Sequence, residues 1–424
     1  MRRSLLAGCL ALLVPMAAAA QQPAAPGAAA SSLNLETIMA NPDWIGRAVE
    51  DPYWSVDGRS LYYSLKRDGS PVHDLYRVDP ASGRSVKLDP AAMTQADGPA
   101  VFDRSHQHAA FLLHDDVFVV NVASGKRTQV TDSQQVKRMP QFSADDRALQ
   151  YRQGQDWYRY DLQDGTTTQA AVLKAADDPQ AKQPDALDEL QLSLFKTLRQ
   201  LKADQQAERE RVRALQAADP GRLPQPFWLG AKRKPVNTAL SPDGRYLLVV
   251  TVPRDYAKGE APKVNHYVTD SGYPEAKGAR TYVGRNDPAP ESLLLLDLQT
   301  HETYALATDG LPGIKDDPLA DIRAQTMAAL KKAGKDDQAK ALQAPAVRPV
   351  TVNRVASGEG VEWSADGNQV AIQLRAIDNK DRWIATIDFA NHTLVTQQHL
   401  HDAAWINWGS TTSAGSRTVA RCGT

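Results

Sequence analysis

The stretch that decides the fold is Leu240-Ser-Pro-Asp243-Gly244-Arg245, followed by the apolar run Tyr246-Leu-Leu-Val-Val250. Ser and Asp side chains bond their own backbone in a turn, and Gly supplies the positive φ that lets a chain reverse. A short apolar run that contains Tyr and Val and directly follows such a turn is typical of a β-strand. The stretch therefore predicts a strand, a tight turn and a second strand.

The same phrase recurs along the chain, and a weaker relative starts at Phe102. The other copies are Trp54-Ser-Val-Asp57-Gly-Arg59, Phe142-Ser-Ala-Asp145-Asp-Arg147 and Trp363-Ser-Ala-Asp366-Gly-Asn368. A second predicted hairpin follows each phrase, and its first strand ends at Asp79, Asn121, Asp161, Asp297 or Asp388. Two hairpins per unit make a four-stranded sheet, the blade of a propeller. We therefore predict an all-β fold, a β-propeller of four-stranded blades, about five of them recognisable and the ring incomplete, with helical insertions.

The propeller is assigned to residues 46–408, after a linker and N-terminal segment at 21–45. A helical insertion is predicted at 184–218, and a helical hairpin leaning on its own propeller is favoured over a coiled-coil partner because the apolar stripe is short. A polar loop rich in Tyr and Gly is predicted at 255–290, and another helix at 317–342.

The first residues, 1–20, have the features of a cleavable signal peptide: an early Arg pair, a short apolar run and small residues at its end. Cleavage is expected between Ala20 and Gln21, which predicts a periplasmic or secreted protein. No later segment approaches the roughly 20 apolar residues of a membrane span.

Composition removes several classes of function. The 49 basic and 50 acidic residues give a formal charge of −1, so nucleic acid is not an expected partner. The two cysteines, Cys9 and Cys422, lie in the signal peptide and in the C-terminal tail, which leaves no disulfide framework. His106, His108 and His114 lack a carboxylate in a ligand-like array, so we predict no metal site and no cofactor.

Two further segments suggest a family: the opening Leu33-Asn-Leu-Glu-Thr-Ile-Met-Ala-Asn-Pro-Asp43 and the segment Val283-Gly-Arg-Asn-Asp-Pro-Ala-Pro290. With the repeated phrases, they make residues 33–408 resemble the N-terminal part of a bacterial exported serine peptidase of the prolyl oligopeptidase and dipeptidyl peptidase IV family. The resemblance implies a propeller that covers a C-terminal α/β-hydrolase domain and filters peptide substrates by size. The repeat phrase alone is also similar to that of the periplasmic propeller of the Tol system.

The sequence departs from that family in its chemistry. A hydrolase of this kind needs a Ser in a Gly-x-Ser-x-Gly turn, followed by Asp and His, and the chain contains no such motif. The paired glutamates that hold a substrate amine in dipeptidyl peptidase IV are also absent. No catalytic residue is therefore assigned. Tyr267, Tyr273 and Tyr282, in the predicted loop insertion, are the candidate substrate contacts.

The tail, residues 409–424, breaks the alternating pattern. Residues 410–424 can be encoded by a DNA that, with one T restored and read in the shifted frame, gives FNDFGWLADSRTLWY. Its last part aligns with the phrase from Trp54 to Tyr63. The hypothesis is that the loss of one nucleotide near codon 409 puts the tail out of frame and truncates the protein before its hydrolase domain.

Two functions remain open from the sequence. The first is a non-catalytic, substrate-gating propeller whose partners are peptide substrates and its own missing hydrolase domain. The alternative is a stand-alone periplasmic propeller that acts as a protein-binding module. An incomplete propeller leaves a sheet edge and apolar faces open, so we also expect poor solubility.

Overall fold

A computed structural model describes residues 34–40, 42–179, 190, 195–219, 223–256, 261–281, 289–342, 347–353 and 360–406. Within these ranges the chain forms five larger antiparallel sheets and two small two-stranded sheets. In the first four larger sheets the strands pair in chain order, as expected for a blade of two consecutive hairpins. In the fifth, the first two strands both pair with the third. The predicted all-β fold of four-stranded blades with helical insertions is confirmed.

The strands of the first three sheets follow one another without a long insertion. They are β1 (Val49–Trp54), β2 (Leu61–Lys66), β3 (His73–Asp79) and β4 (Arg84–Lys87) in the first sheet; β5 (Val101–Phe102), β6 (His108–Leu113), β7 (Asp116–Asn121) and β8 (Arg127–Gln129) in the second; and β9 (Lys137–Phe142), β10 (Ala148–Gln153), β11 (Asp156–Asp161) and β12 (Thr167–Gln169) in the third.

The remaining strands include two small pairs and the fourth and fifth sheets. They are the parallel pair β13 (Val172–Lys174) and β14 (Pro226–Trp228); the fourth sheet of β15 (Arg233–Leu240), β16 (Tyr246–Pro253), β19 (Ser292–Asp297) and β20 (Glu302–Leu306); the hairpin β17 (Lys263–His266) and β18 (Glu275–Gly278); and the fifth sheet of β21 (Val350–Val352), β22 (Val361–Trp363), β23 (Val370–Ala376), β24 (Asp381–Asp388) and β25 (Thr393–His401).

The helices lie before and between the sheets. They are α1 (Leu35–Met39), followed by a 3-10 turn at Pro42–Ile45, then α2 (Pro90–Gln95), α3 (Lys196–Ala218), α4 (Ala320–Lys332) and α5 (Asp336–Ala341).

The repeated phrase forms the turn between the first two strands of the first four sheets, and between β22 and β23 in the fifth. In the third sheet the Ser143 hydroxyl donates to Asp145 at 2.6 Å and accepts from the Ala148 amide at 2.9 Å. The weaker relative at Phe102 exchanges the two residue types, since Asp103 takes the place of the Ser and Ser105 donates to it at 3.2 Å. The turn is therefore preserved in the second sheet although its sequence pattern is not.

The first strand of three sheets carries a proline in its interior, at Pro52, Pro140 and Pro235. Each of these strands lies at the edge of its sheet, where the missing N–H of proline is tolerated. The strand register shifts next to each proline, which adds a β-bulge.

Apolar contacts join successive sheets face to face. In the third sheet Phe142, Leu149 and Tyr151 are at most 9% exposed and belong to a core cluster that includes Ala110 and Val119 of the second sheet. Two further clusters lie at the joints of the third with the fourth sheet and of the fourth with the fifth, and another packs the first sheet against α2. The core is therefore divided into layers between blades.

The turns of the repeated phrase also touch one another at one end of the sheets. The Arg104 amide donates to the Asp146 carboxylate at 3.0 Å, and the Ala144 amide donates to the Pro242 carbonyl at 2.9 Å. At the last joint Gly367 lies directly against Asp243. The turns of the second, third and fourth sheets thus each contact the equivalent turn of the following sheet.

Substitution of Gly367 tests how closely the turns of the fourth and fifth sheets approach each other. The φ of Gly367 is +76°, and a Cβ added there would lie 2.8 Å from the Asp243 Cγ, whereas Gly58, at φ +68°, has nothing within 4 Å of an added Cβ. Gly58→Ala is expected to cost about 1–2 kcal/mol from backbone strain alone. Gly367→Ala is expected to cost at least about 1 kcal/mol more, because the two turns must separate. Urea unfolding of both variants measures the difference, and equal losses would contradict a tight contact.

Three insertions differ from their sequence-based expectations. The helix α3 carries Leu198 and Leu201 at 38% and 54% exposure, so its described apolar side chains do not pack on the propeller. The 255–290 insertion contains the hairpin β17–β18 instead of only a loop. The 317–342 segment forms two helices, because Gly334, at φ +70°, ends α4.

Candidate functional site

The candidate substrate contacts lie on the hairpin β17–β18, inserted between the two central strands of the fourth sheet. All residues of both hairpin strands are exposed. At its tip, Tyr267 is 71% exposed, Val268 98% and Tyr273 76%. The structure therefore places Tyr267 and Tyr273 at one solvent-facing tip, whereas Tyr282 and the predicted cleavage pair Ala20 and Gln21 lie outside the described residues.

The tip has a defined turn despite its exposure. The Thr269 hydroxyl donates to the Tyr273 carbonyl at 2.6 Å, and the Gly272 amide donates to the Thr269 carbonyl at 3.1 Å. Gly272 has a φ of +73°, a conformation that glycine adopts without strain. These bonds hold the backbone while leaving the two phenol rings available for contact.

A second cluster, of titratable side chains centred on the fifth sheet, was not predicted. The buried Asp381 accepts from His399 Nε2 at 2.7 Å and lies 2.8 Å from His401 Nδ1, both on the same carboxylate oxygen. Its other oxygen lies 2.8 Å from the Arg348 guanidinium. Burial raises the pKa of Asp381, but the bonds from His399, Arg348 and His401 outweigh burial and hold the pKa below its usual value.

This cluster ties the last strand to the segments that precede the fifth sheet. Arg348 also donates to the Gly313 carbonyl at 2.6 Å, and Trp383 donates from Nε1 to the Pro312 carbonyl at 2.9 Å. The Trp383 and His399 rings are stacked at 5.4 Å between centroids. Both imidazoles bond to a carboxylate, and within the described ranges no hydroxyl or thiol bonds to either. The geometry is that of a structural contact between elements. We call Asp381, His399, His401 and Arg348 the lock at Asp381.

The three histidines that the sequence offered as metal candidates are not brought together. His108 Nδ1 lies 3.0 Å from the Asp103 carboxylate inside the second-sheet turn, and His106 stacks on Phe102. His114 lies at the opposite end of β6, on the wall of a cleft. Among the residues that the structure describes, no group of three or more His, Cys, Asp or Glu is arranged to hold a metal ion.

That cleft has a volume of about 420 Å³ and lies between α2 and the second sheet. Its wall includes Thr94, His114, Phe118 and Arg127. The Arg127 guanidinium lies 4.2 Å from the centre of the Phe118 ring. Burial lowers the pKa of Arg127. The cleft is polar and open, and its wall also includes Asp116, whose carboxylate accepts from Lys137 at 2.6 Å.

None of the helices in the described ranges combines the length and the apolar character that crossing a bilayer requires. The stacked four-stranded sheets define the class of protein, a β-propeller protein.

Comparison with known proteins gives distant structural likenesses. No family model and no curated protein matches the sequence. The chain is similar in structure to dipeptidyl peptidase 4 of Porphyromonas gingivalis, with 11% identity over 89% of this chain and 43% of that one, at a TM-score of 0.41. It is also similar to TolB of Acinetobacter baumannii, with 10% identity over 84% and 55% and a TM-score of 0.32.

A putative dipeptidyl aminopeptidase IV of Bacteroides ovatus is a further structural neighbour, with 8% identity over 85% of this chain and 39% of that one, at a TM-score of 0.35. The chain thus spans about half or less of the length of the solved proteins that it matches. At these identities no residue role is transferred from them.

Proposed function

We propose that this chain is the substrate-gating β-propeller of an exported serine peptidase of the prolyl oligopeptidase and dipeptidyl peptidase IV family, working in the periplasm or outside the cell. The observation that supports it is the hairpin tip, where Tyr267 and Tyr273 are both more than 70% exposed at the end of a blade. Tyrosine offers a large apolar contact surface and a polar hydroxyl, which suits contact with peptides of varied sequence.

In this proposal the hydrolysis belongs to another part of the enzyme. The chain carries no Gly-x-Ser-x-Gly motif, so the Ser, Asp and His of the peptidase are assigned to an α/β-hydrolase domain encoded beyond codon 409 in the other reading frame. The proposed partners of this propeller chain are then peptide substrates and the α/β-hydrolase domain. The tail at 409–424, on which this assignment depends, lies outside the described residues.

Sequencing the gene and its downstream DNA is the first test. We expect further propeller strands and a hydrolase domain in the shifted frame. The 424-residue chain should then be inert on an Xaa-Pro p-nitroanilide, and the frame-restored protein should cleave it. Hydrolysis by the unrestored chain, or downstream DNA without a hydrolase domain, would overturn the proposal. A restored protein that folds but stays inert would instead favour a stand-alone protein-binding propeller.

The tyrosine tip is tested in the frame-restored protein. The double variant Tyr267→Ala/Tyr273→Ala removes two aromatic contacts worth about 0.5–1.5 kcal/mol each. We expect KM for peptides of ten or more residues to rise roughly 5- to 100-fold, while KM for the small p-nitroanilide stays unchanged. Lys277→Ala is the matched control, since Lys277 is exposed on the same hairpin but away from its tip. Equal effects of the double variant on long and short substrates would refute the assignment of the tip.

A further inference from the structure

The first sheet exposes a face that the third sheet buries. Trp54, Leu61 and Tyr63 occupy the strand positions that Phe142, Leu149 and Tyr151 occupy in the third sheet, because Trp54 pairs with Leu61 as Phe142 pairs with Leu149. Trp54 is 55% exposed, and Leu61 and Tyr63 are partly exposed. We call these three residues the first-sheet face.

The second sheet shows what covers such a face. Phe142, Leu149 and Tyr151 belong to one core cluster with Ala110, Val117 and Val119, which are small or β-branched residues of β6 and β7. The aromatic and leucine side chains of the third sheet therefore pack against a surface of alanine and valine from the second sheet. The same geometry would bury the first-sheet face.

The fifth sheet carries small and β-branched residues at three of these positions, while Glu362 and Gln373 stand where the second sheet has Val101 and Leu112. Ala371 pairs with Thr386 as Ala110 pairs with Val119 in the second sheet. Ile384 lies two residues before Thr386, on the same face of β24, and so takes the position of Val117. Ala371, Ile384 and Thr386 are all only partly buried. We call them the fifth-sheet face. Two of its three residues are β-branched and the third is alanine, as in the second sheet.

The turns carry a second, polar match. In each of the first three sheets, one backbone amide of the turn donates a hydrogen bond towards the next sheet. The donor is the residue that follows the first polar residue of the turn, which is Ser55, Asp103 or Ser143. The bonds run from Val56 N to Asp97, from Arg104 N to Asp146 and from Ala144 N to the Pro242 carbonyl. In the fifth sheet this residue is Ala365, which is exposed and has no bond to any residue within the described ranges. A following turn would accept from this amide.

We propose that the fifth-sheet face docks on the first-sheet face of a second copy of this chain, head to tail. The contact repeats the joint between the second and third sheets, and the Ala365 amide donates to the Val56 carbonyl of the second copy as Ala144 donates to Pro242. Because the two surfaces differ, each copy keeps one open face, and the association is heterologous and grows with concentration. This inference concerns the 424-residue chain and does not rest on the proposed peptidase function; the further propeller strands expected in the frame-restored protein would cover the fifth-sheet face.

Light scattering on the 424-residue chain tests the docking. The mass is expected to rise with protein concentration above the 46.3 kDa of one chain. Trp54→Arg and Ile384→Arg should each give a monomer, since each destroys one of the two faces. An equimolar mixture of the two variants should form a dimer and nothing larger, because only one intact pair of faces remains. A parent chain that is monomeric throughout, or a mixture that stays monomeric, overturns the proposal.

Two further variants separate docking from misfolding and from other contacts. Ala365→Pro removes the donor but keeps the turn, as Pro242 holds the same place in the fourth sheet, and should weaken association about 2- to 10-fold. Val268→Arg, at a residue that is 98% exposed on the hairpin tip, should leave association unchanged. Loss of association in Val268→Arg would place the contact on the hairpin. A monomer in which acrylamide cannot quench Trp54 would show the chain closing on itself, which also refutes the proposal.

Discussion

Replacing Trp157 by alanine is expected to lower the free energy of unfolding by about 3–5 kcal/mol. The indole is 1% exposed in the core between the third and fourth sheets, and its Nε1 donates to the Thr238 hydroxyl at 3.1 Å across that joint. The variant loses buried apolar surface, leaves a cavity and leaves the buried Thr238 hydroxyl without the donor that it accepts from. Urea unfolding monitored by far-UV circular dichroism measures the loss.

Trp54→Ala is the matched control for this prediction. Trp54 also lies on a sheet face but is 55% exposed, so its removal should cost less than about 1 kcal/mol when measured at a concentration where the chain is monomeric. Similar losses for the two variants would contradict the view that apolar layers between blades carry the stability of the fold.

Replacing Asp116 by alanine is expected to cost about 3–5 kcal/mol, because it leaves a buried charge without its partner. The Lys137 side chain is 0% exposed, and its ammonium donates to the Asp116 carboxylate at 2.6 Å and to the Ser133 carbonyl at 2.8 Å. Lys137→Met removes the charge and keeps the apolar stem. The double variant Asp116→Ala/Lys137→Met should therefore be more stable than Asp116→Ala alone, and a double variant that is less stable would refute the account.

The effect of Asp116→Ala should also depend on pH. Burial raises the pKa of Asp116, but the bonds from Lys137 and Thr131 outweigh it and hold the pKa below its usual value. The unfolded chain thus binds this proton more tightly than the folded one, so the carboxylate stabilises the fold above about pH 4 and loses that contribution as the pH falls through the folded-state pKa. The difference between parent and variant should shrink below about pH 4, and unfolding curves from pH 3 to 7 measure it.

The fold was predictable because a short phrase fixes each turn. Ser143, Asp145 and their equivalents make local bonds that need no information from distant residues, so the hairpins can be predicted from the sequence. The insertions were harder to predict. The hairpin strands Lys263–His266 and Glu275–Gly278 contain Lys, Glu, Asn and Gly, which have low β propensity, so their pairing has no signal in composition.

The candidate site was predictable only in part. Tyr267 and Tyr273 lie at the exposed tip of one hairpin, and their role in substrate contact stays a prediction. The lock at Asp381 was missed, although His399 and His401 are two apart on a strand and must share a face. Their contact with Asp381 depends on the pairing of β24 with β25, whose register shifts at Ile384 and Ala385. Such a bulge has no sequence signature in these strands.

The order of pairing within the blades has a kinetic consequence. Residues 154–155 separate the central strands of the third sheet, whereas residues 254–291 separate those of the fourth. Closing the longer connection costs on the order of 2 kcal/mol more in chain entropy, of which the local hairpin β17–β18 offsets part. We therefore expect the early blades, whose strands are joined by short turns, to form before the fourth blade, and we expect pairing of its central strands to be the slower step of folding.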